Sequence, residues 1–343
     1  MGQDRRLRAV LGIVAALVVL VGAYAWVWDF RPAMAGDSQG YLDVAMDLRD
    51  GTRDRLGVRS IGYPALLVLT GATERGTAAL LLAQISLHFA AVVLMLSLLR
   101  SIGAGRTALG VFAVVAMLPP FVEHAAFVLS ESETQFCVVL GFVGFARWLL
   151  EGRATWLSFS TLSLALVPVI HPASGLLWMV LPAFAGLACI LVPRGSALRR
   201  RAAIGSAATV GVALVVVGAV VTWNFTRFDY FGISPMLGKV LSHKTARVVE
   251  LLPESYDGVR EILIRHRDAA LLDPSTQHLG LAYIFRAIPD LEARTGLEGP
   301  ALSDYLVRMN LELIRRAPMD YVDEVLRSAI WFWAPGVTDC SAF

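Results

Sequence analysis

The sequence predicts an all-α integral membrane protein, and three observations support this prediction. Hydrophobic residues make up 56% of the 343-residue chain and charged residues only 17%, against roughly 25% in soluble domains. The apolar residues form long runs, and the first of these, Ala9 to Trp28, has the ~20 uncharged residues that a helix needs to cross a bilayer. Arginines cluster in alternate loops between the runs, as in multi-pass proteins that follow the positive-inside rule.

The apolar runs predict about seven transmembrane helices. The run from Ala154 to Pro193 is broken at residues 171–175, so it predicts two helices joined by a tight turn. A cleaved signal peptide is the alternative for the first run, because Ala33-Met34-Ala35 resembles a cleavage site. That run is longer than the usual apolar core of a signal peptide. The predicted spans are Ala9 to Trp28, Gly76 to Leu99, Thr107 to Val122, Val128 to Leu150, the two halves of Ala154 to Pro193, and Ala202 to Thr226.

The arginines also predict an orientation in the cell (plasma) membrane. The turns at residues 119–130 and 171–175 contain no lysine or arginine, whereas the loops that alternate with them do. This places the N-terminus in the cytoplasm. Residues 29–60, the 119–133 turn, the 171–175 turn and everything after Thr226 then lie outside. The cytoplasmic arginines are Arg5, Arg6, Arg8, Arg100, Arg106, Arg147, Arg153, Arg194, Arg199, Arg200 and Arg201.

Two domains are predicted. Residues 1–226 form the transmembrane domain, whose first external loop covers residues 29–60. Residues 227–343 form an external, mainly helical region with many charged residues and a short final apolar segment, Ser328 to Val337. Helical spacing in this region predicts a buried stripe, and Ala317-Pro318 predicts a helix break after it. The stripe consists of Leu302, Leu306, Met309 and Leu313.

Charge and cysteine content exclude several classes of protein. The net charge of +2 is small, and no basic run is interleaved with aromatic residues, so a nucleic-acid partner is not expected. The three cysteines show neither a disulfide framework nor a metal-binding spacing. Membrane lipids are the expected surroundings.

The first external loop predicts an amphipathic helix in the membrane interface. Residues 37–50 have helical periodicity, and Gly51 is a plausible stop. The apolar stripe is formed by Tyr41, Val44, Ala45 and Leu48. Asp37 stands at the helix start, where two interpretations apply. It is either the N-cap, a position that favours aspartate, or a general base held at the lipid–water boundary, and one residue could do both.

Further polar residues lie at the same predicted membrane face. Glu123, His124, Glu131 and Glu133 occupy the 119–133 turn, where they either lie among the headgroups or face a polar cavity, since acidic groups at membrane depth are costly. Asp37, His124 and Glu131 could together hold a divalent metal, although no ligand spacing requires one. The cofactor is therefore left open. Arg227, just outside the last span, suits a headgroup anchor or a phosphate contact equally well.

Several motifs, in order along the chain, resemble the GT-C membrane glycosyltransferases that use polyprenyl-phosphate sugars. This superfamily includes the protein O-mannosyltransferases and the aminoarabinose transferases of lipid A. The first two motifs are Asp-Ser-x-x-Tyr-Leu-x-x-Ala from Asp37 and Arg-x-x-Gly-Tyr-Pro-x-Leu-Leu from Arg59. The others are Leu129-Ser130-Glu131, Trp223-Asn224-Phe225 with Gly232-Ile233-Ser234-Pro235, and Ile314-Arg315-Arg316-Ala317-Pro318-x-x-Tyr321.

The resemblance implies transfer of a sugar from a polyprenyl-phosphate donor to a protein, lipid or polysaccharide acceptor. Asp37 would be the catalytic base, and the donor phosphate or a metal would lie near Arg59, Glu131, His171 and Arg227. Supporting residues would be Ser38, Tyr41, Tyr63, Glu123 and His124. The chain departs from the family pattern at Ser38, where many members carry glutamate, and at His171, where many carry arginine.

Two other functions remain open from the sequence. A membrane transporter or lipid flippase would place ionisable groups or broken helices near the bilayer midplane, whereas here the charges cluster at one face. An inactive GT-C-like scaffold is the other alternative, because the C-terminal spans typical of the family are missing from this sequence.

Overall fold

A computed structural model describes residues 18–52, 59–174, 177–191, 193, 195–272 and 283–333. These residues form helices and turns, with one isolated bridge between Ala33 and Phe127, so the predicted all-α class is confirmed. They divide into two compact units, residues 18–52 with 59–233, and residues 234–333. The start of the first predicted span, the arginines before it, residues 53–58, Arg194 and the end of the final apolar segment lie outside the described residues.

The first unit contains ten helices in its described part. Short 3₁₀ turns at Glu123–Ala126 and Pro172–Ser174 connect some of them. The helices are α1 (Val18–Val27), α2 (Ser38–Asp50), α3 (Gly62–Leu69), α4 (Ala78–Ser101), α5 (Arg106–Ala116), α6 (Pro119–Val122), α7 (Glu131–Glu151), α8 (Ala154–Ile170), α9 (Leu177–Leu191) and α10 (Ala197–Phe228).

Helices α4, α7 and α10 are long and apolar enough to cross a membrane, which makes this a membrane protein. Helix α5 has only 11 residues and is about 16 Å long, roughly half of the hydrocarbon core. The predicted span from Thr107 to Val122 is therefore not one helix. Pro119 and Pro120 lie near the end of this run, and a proline disfavours helical backbone in the residue before it.

The break predicted within the run from Ala154 to Pro193 is present. Helix α8 ends at Ile170, His171 is extended, and α9 begins at Leu177. Helix α8 packs against α7, which also packs against α4. Gly144 of α7 permits a close approach to α8, because a Cβ at this position would lie 2.9 Å from the carbonyl oxygen of Trp156.

The arginine-containing loops of the first unit meet at one end of its helices. The Arg201 guanidinium donates hydrogen bonds to the carbonyl oxygens of Leu149 and Leu150, at 2.9 and 3.1 Å. Arg147 donates to the hydroxyl and carbonyl oxygens of Ser97. The first external loop and the two turns without arginine, all of which the sequence assigns to the outside, meet at the opposite end, as described below.

The second unit contains α11 (Leu237–Thr245), α12 (Asp257–Leu272), α13 (Tyr283–Thr295), α14 (Gly299–Arg316) and α15 (Pro318–Trp333) in its described part. The four residues of the predicted stripe on α14 are all buried in its core. The predicted break is also confirmed, because α14 ends at Arg316 and α15 begins at Pro318. Ser328 lies within α15, so it does not start a separate apolar segment.

Candidate functional site

The start of α2 is fixed against the segment that precedes α7. The Ala33 amide donates to the carbonyl oxygen of Ala126 at 2.6 Å, and the Val128 amide donates to the carbonyl oxygen of Ala33 at 2.9 Å. The buried Ser38 hydroxyl accepts from the Ala35 amide at 2.7 Å and donates to the carbonyl oxygen of Val128 at 2.9 Å. Ser38 therefore joins two segments that are 90 residues apart in sequence.

Helix α2 follows the sequence prediction closely. Gly51 ends it in a left-handed conformation with φ 66°, and its amide donates to the carbonyl oxygen of Asp47. Tyr41, Val44 and Ala45 of the predicted stripe are buried, together with Leu42. The N-terminal part of its apolar face therefore packs against the rest of the first unit.

The carboxylate of Asp37 does not cap the helix that it precedes. Asp37 occupies the N-cap position, but its side chain accepts no hydrogen bond from the first turn. It forms an ion pair with the guanidinium of Arg59 instead. The Asp37 side chain is 57% exposed, whereas that of Arg59 is 17% exposed. Of the two interpretations of Asp37, side-chain capping is therefore wrong, and the carboxylate is accessible from solvent.

The Arg59 guanidinium lies over the ring of Tyr41, 4.8 Å from its centroid, in a cation–π arrangement. Arg59 Nε is buried and has no hydrogen-bond partner in the described part of the chain. Gly40 lies beside this side chain, and a Cβ there would meet Arg59 Nε at 3.4 Å, an ordinary van der Waals contact. One donor of this guanidinium is therefore unused while the group pairs with Asp37.

Tyr41 connects α2 to two distant turns. Its hydroxyl lies 2.9 Å from Ser130 Oγ, which in turn lies 2.9 Å from His171 Nδ1. Burial raises the pKa of Tyr41; the Ser130 hydrogen bond and the charge of Arg59 oppose this, and the charges of Glu131 and Asp37 add to it. Charges from three separate segments therefore act on one buried hydroxyl.

Tyr63 extends the same network into α4. Its ring meets that of Tyr41 edge to face, with centroids 4.9 Å apart, and its hydroxyl donates to Gln84 Oε1 at 2.7 Å. Gln84 Nε2 donates to the carbonyl oxygens of Ala125 and Phe127, both at 2.8 Å. This fully buried amide therefore ties α3, α4 and the 119–133 turn together.

The segment around Arg59 is also fixed to the end of α8. Ser60 Oγ donates to the carbonyl oxygen of Ile170 at 3.1 Å. A Cβ on Gly62 would lie 2.7 Å from backbone atoms of Val169 and Ile170, so only glycine fits at this position. The first external loop, the 119–133 turn and the 171–175 turn are thus held together by side-chain and backbone hydrogen bonds.

Glu131 and Glu133 lie in the first turn of α7, where the helix dipole favours negative charge. The Oε2 atom of each is buried and has no hydrogen-bond partner within the described residues. An unsatisfied buried carboxylate oxygen is costly, so it is a feature expected of a ligand site.

Glu123 and His124 do not take part in this network. Glu123 is half-buried and His124 is exposed on the 3₁₀ turn. The suggested metal set of Asp37, His124 and Glu131 is not assembled, since the described residues contain no group of three or more histidine, cysteine or acidic side chains suited to a metal ion. Arg227 is exposed in the last turn of α10.

Sequence reasoning missed Ser130 and Gln84 as members of the network. Ser130 stands in the motif Leu129-Ser130-Glu131, which by itself assigns it no role. Gln84 carried a usable signal, because a polar side chain within the apolar run from Gly76 to Leu99 requires a partner.

Searches of protein-family models, of curated proteins and of solved structures returned no match to this chain.

Proposed function

We propose that this protein is a GT-C-like membrane glycosyltransferase that transfers a sugar from a polyprenyl-phosphate carrier to an acceptor hydroxyl, with Asp37 as the general base. The carrying observation is the state of the Asp37 carboxylate. It is solvent-accessible and does not cap α2. It pairs with Arg59, whose guanidinium lies over the ring of Tyr41 in the buried polar network. A carboxylate that serves only the helix would accept hydrogen bonds from the first turn.

In the proposed reaction Asp37 takes the proton of the acceptor hydroxyl. The hydroxyl oxygen forms a bond to the anomeric carbon of the donor sugar. The bond between that carbon and the phosphate oxygen breaks, and the polyprenyl phosphate leaves with the electron pair. The products are the glycosylated acceptor, free polyprenyl phosphate and the proton on Asp37.

Arg59 is proposed to stabilise the leaving phosphate. A guanidinium has five N–H donors in a planar fork that suits phosphate, and Arg59 Nε has no partner in the described structure. The unpaired Oε2 of Glu131 would accept a hydrogen bond from a hydroxyl of the donor. His171 is engaged by Ser130, which supports a role in fixing the network, while Arg227 remains a candidate phosphate contact.

We further propose seven spans, with the site on the outer face of the plasma membrane. Two features of the described structure support this topology. The turns that lack arginine meet around Tyr41 and Ser130, and the arginine-containing loops meet at the other end, around Arg147 and Arg201. Helix α5, α6 and the 3₁₀ turn would complete the third crossing together, and α2 would lie in the interface.

A donor-release assay tests the activity. The purified protein in lipid is given a panel of polyprenyl-phosphate sugars with candidate acceptors, and mass spectrometry follows free polyprenyl phosphate. Asp37→Asn is expected to lower turnover by about 10²–10⁴-fold, the usual contribution of a positioned base. The matched control is Asp43→Asn, which removes an exposed carboxylate of the same helix that bonds only Gln39 at 2.7 Å among the described contacts.

Equal turnover of Asp37→Asn and the wild-type protein would exclude the proposed mechanism. Movement of a lipid-linked sugar across vesicles without release of polyprenyl phosphate would instead indicate a transporter or flippase. Tight donor binding with neither release nor transport would indicate the inactive scaffold.

A further inference from the structure

Helix α15 directs polar residues toward its own unit. Among residues 318–328, whose side chains the structure describes, the half-buried positions are Tyr321, Glu324 and Ser328. The Glu324 carboxylate pairs with Arg247 at 3.0 Å and is 15% exposed, and the Ser328 hydroxyl accepts a hydrogen bond from Lys244 Nζ at 2.6 Å. The side of α15 that packs on the rest of the second unit is therefore largely polar.

The opposite side of α15 is apolar and exposed. Met319, Val322 and Leu326 are 73%, 44% and 56% exposed, and their spacing places them on one face, with the exposed Val325 beside them. We call these four residues the α15 stripe. A helix that packs on a core shows the reverse arrangement, so the stripe is not part of the core of this unit.

The size of the α15 stripe argues against a second copy of this chain as its occupant. Given the exposed fractions, it presents roughly 400 Å² of apolar surface, about half of the ~800 Å² that each partner buries in a standard protein interface. The apolar face of one helix instead suits a lipid interface, in which amphipathic helices bury a single face.

A short linker connects the second unit to a membrane helix. Helix α10 is one of the three helices long enough to cross a membrane, and only residues 229–236 separate it from α11. Eight residues span at most about 29 Å when fully extended. After the α15 stripe the sequence continues with Ala-Ile-Trp-Phe-Trp, and tryptophan is enriched at membrane interfaces.

We propose that the α15 stripe binds the lipid surface of the membrane that anchors the chain. The helix would lie in the interface plane with its stripe among the upper parts of the acyl chains, and Asp323 and Arg327 would border it on the aqueous side. This inference is independent of any glycosyl transfer, since it rests only on the faces of α15 and on the membrane helices.

Depth-dependent quenching by brominated lipids tests the proposal on the full chain. Cys189 and Cys340 are replaced by serine, and the buried Cys137 is kept, with background labelling measured in that protein. Single cysteines are introduced as Met319→Cys, Val322→Cys or Leu326→Cys and labelled with an environment-sensitive fluorophore. Asp320→Cys is the matched control on the same helix, because its exposed side chain lies about 100° around the helix from Met319, away from Val322 and Leu326.

In phosphatidylcholine vesicles, lipids brominated near the top of the acyl chain are expected to quench the three stripe positions at least about twofold, consistent with burial of roughly 5–10 Å. Bromine near the chain end should quench them less, and the control should be unaffected. Quenching of the stripe by aqueous iodide alone would overturn the proposal, because the face would be in water. Protection from both quenchers would overturn it as well, because protein would cover the face.

Discussion

At the residue scale, the candidate site depends on Ser130, which connects Tyr41 to His171. Its hydroxyl lies between Tyr41 and His171 and is fully buried. The Tyr41 ring contacts the guanidinium of Arg59, which pairs with Asp37. Loss of Ser130 would therefore loosen the position of this ring and of Arg59. The site is therefore predicted to be sensitive to a residue that contacts neither the proposed acceptor nor the proposed donor.

Ser130→Ala should leave the buried Tyr41 hydroxyl without its partner and lower the free energy of unfolding by about 1–3 kcal/mol. Tyr41→Phe should cost a similar amount, and the double variant should cost clearly less than the sum, since both changes remove the same hydrogen bond. Unfolding in lipid nanodiscs measures all three. The control is Ser158→Ala, an exposed hydroxyl that bonds Ala154 of its own helix. Additive costs would show that the bond carries no coupling energy.

Some residues of the site follow from the sequence and others do not. Asp37 and Arg59 stand in motifs, and a carboxylate at a helix start attracts attention by itself. The partners of Ser38 and Tyr41 are 90 and 89 residues away, and no local pattern specifies such pairs. Whether the Asp37 side chain caps α2 or pairs with Arg59 likewise depends on where the chain places Arg59, 22 residues later.

At the scale of elements, a half-buried histidine of α11 packs against two aromatic rings of α13. The His243 ring lies 5.7 Å from that of Phe285 and 6.5 Å from that of Tyr283. Burial, assisted by the neighbouring charge of Lys244, lowers the pKa of His243 to about 4. The contact between these helices is therefore formed by the neutral imidazole.

This burial predicts a pH dependence for the second unit. An unfolded histidine has a pKa of about 6.5, so between pH 6.5 and about 4 the unfolded chain binds more protons than the folded unit. Stability falls as the pH falls through that window, by about 1–3 kcal/mol. Hydrogen exchange in peptides of α11 and α13, measured at pH 7 and pH 5 after correction for intrinsic rates, should report the loss.

His243→Gln should flatten this pH dependence, because glutamine does not titrate. The control is His266→Gln, at a histidine that instead pairs with Asp290 at 2.8 Å on α13. An equal loss of protection on acidification in wild-type protein and in His243→Gln would assign the effect to other groups, such as the ion-paired carboxylates of this unit, whose protonation also destabilises it.

At the scale of the whole molecule, composition and apolar runs predict the helical membrane class, the long spans and the charged second unit. The shorter elements are less predictable. The run from Thr107 to Val122 is apolar throughout, yet the helix ends at Ala116, since Pro119-Pro120 interrupts it and the following turn is fixed by Gln84. Hydropathy reports how well a segment suits a lipid environment. The position of this turn depends in addition on hydrogen bonds from the side-chain amide of Gln84, which is distant in sequence.

The proposed seven-span topology predicts on which side of the membrane each loop lies. In intact cells, a membrane-impermeant thiol reagent should label Asp43→Cys and Asp268→Cys but not Arg153→Cys, each at an exposed position. Cys189 and Cys340 are replaced by serine, the buried Cys137 is kept, and permeabilised cells show that all three sites react. If the segment from α5 to the 3₁₀ turn failed to cross, the side of Arg153 would change while that of Asp43 would not. Labelling of Arg153→Cys from outside would therefore contradict the topology at α5, where the structure divides a predicted span into shorter helices.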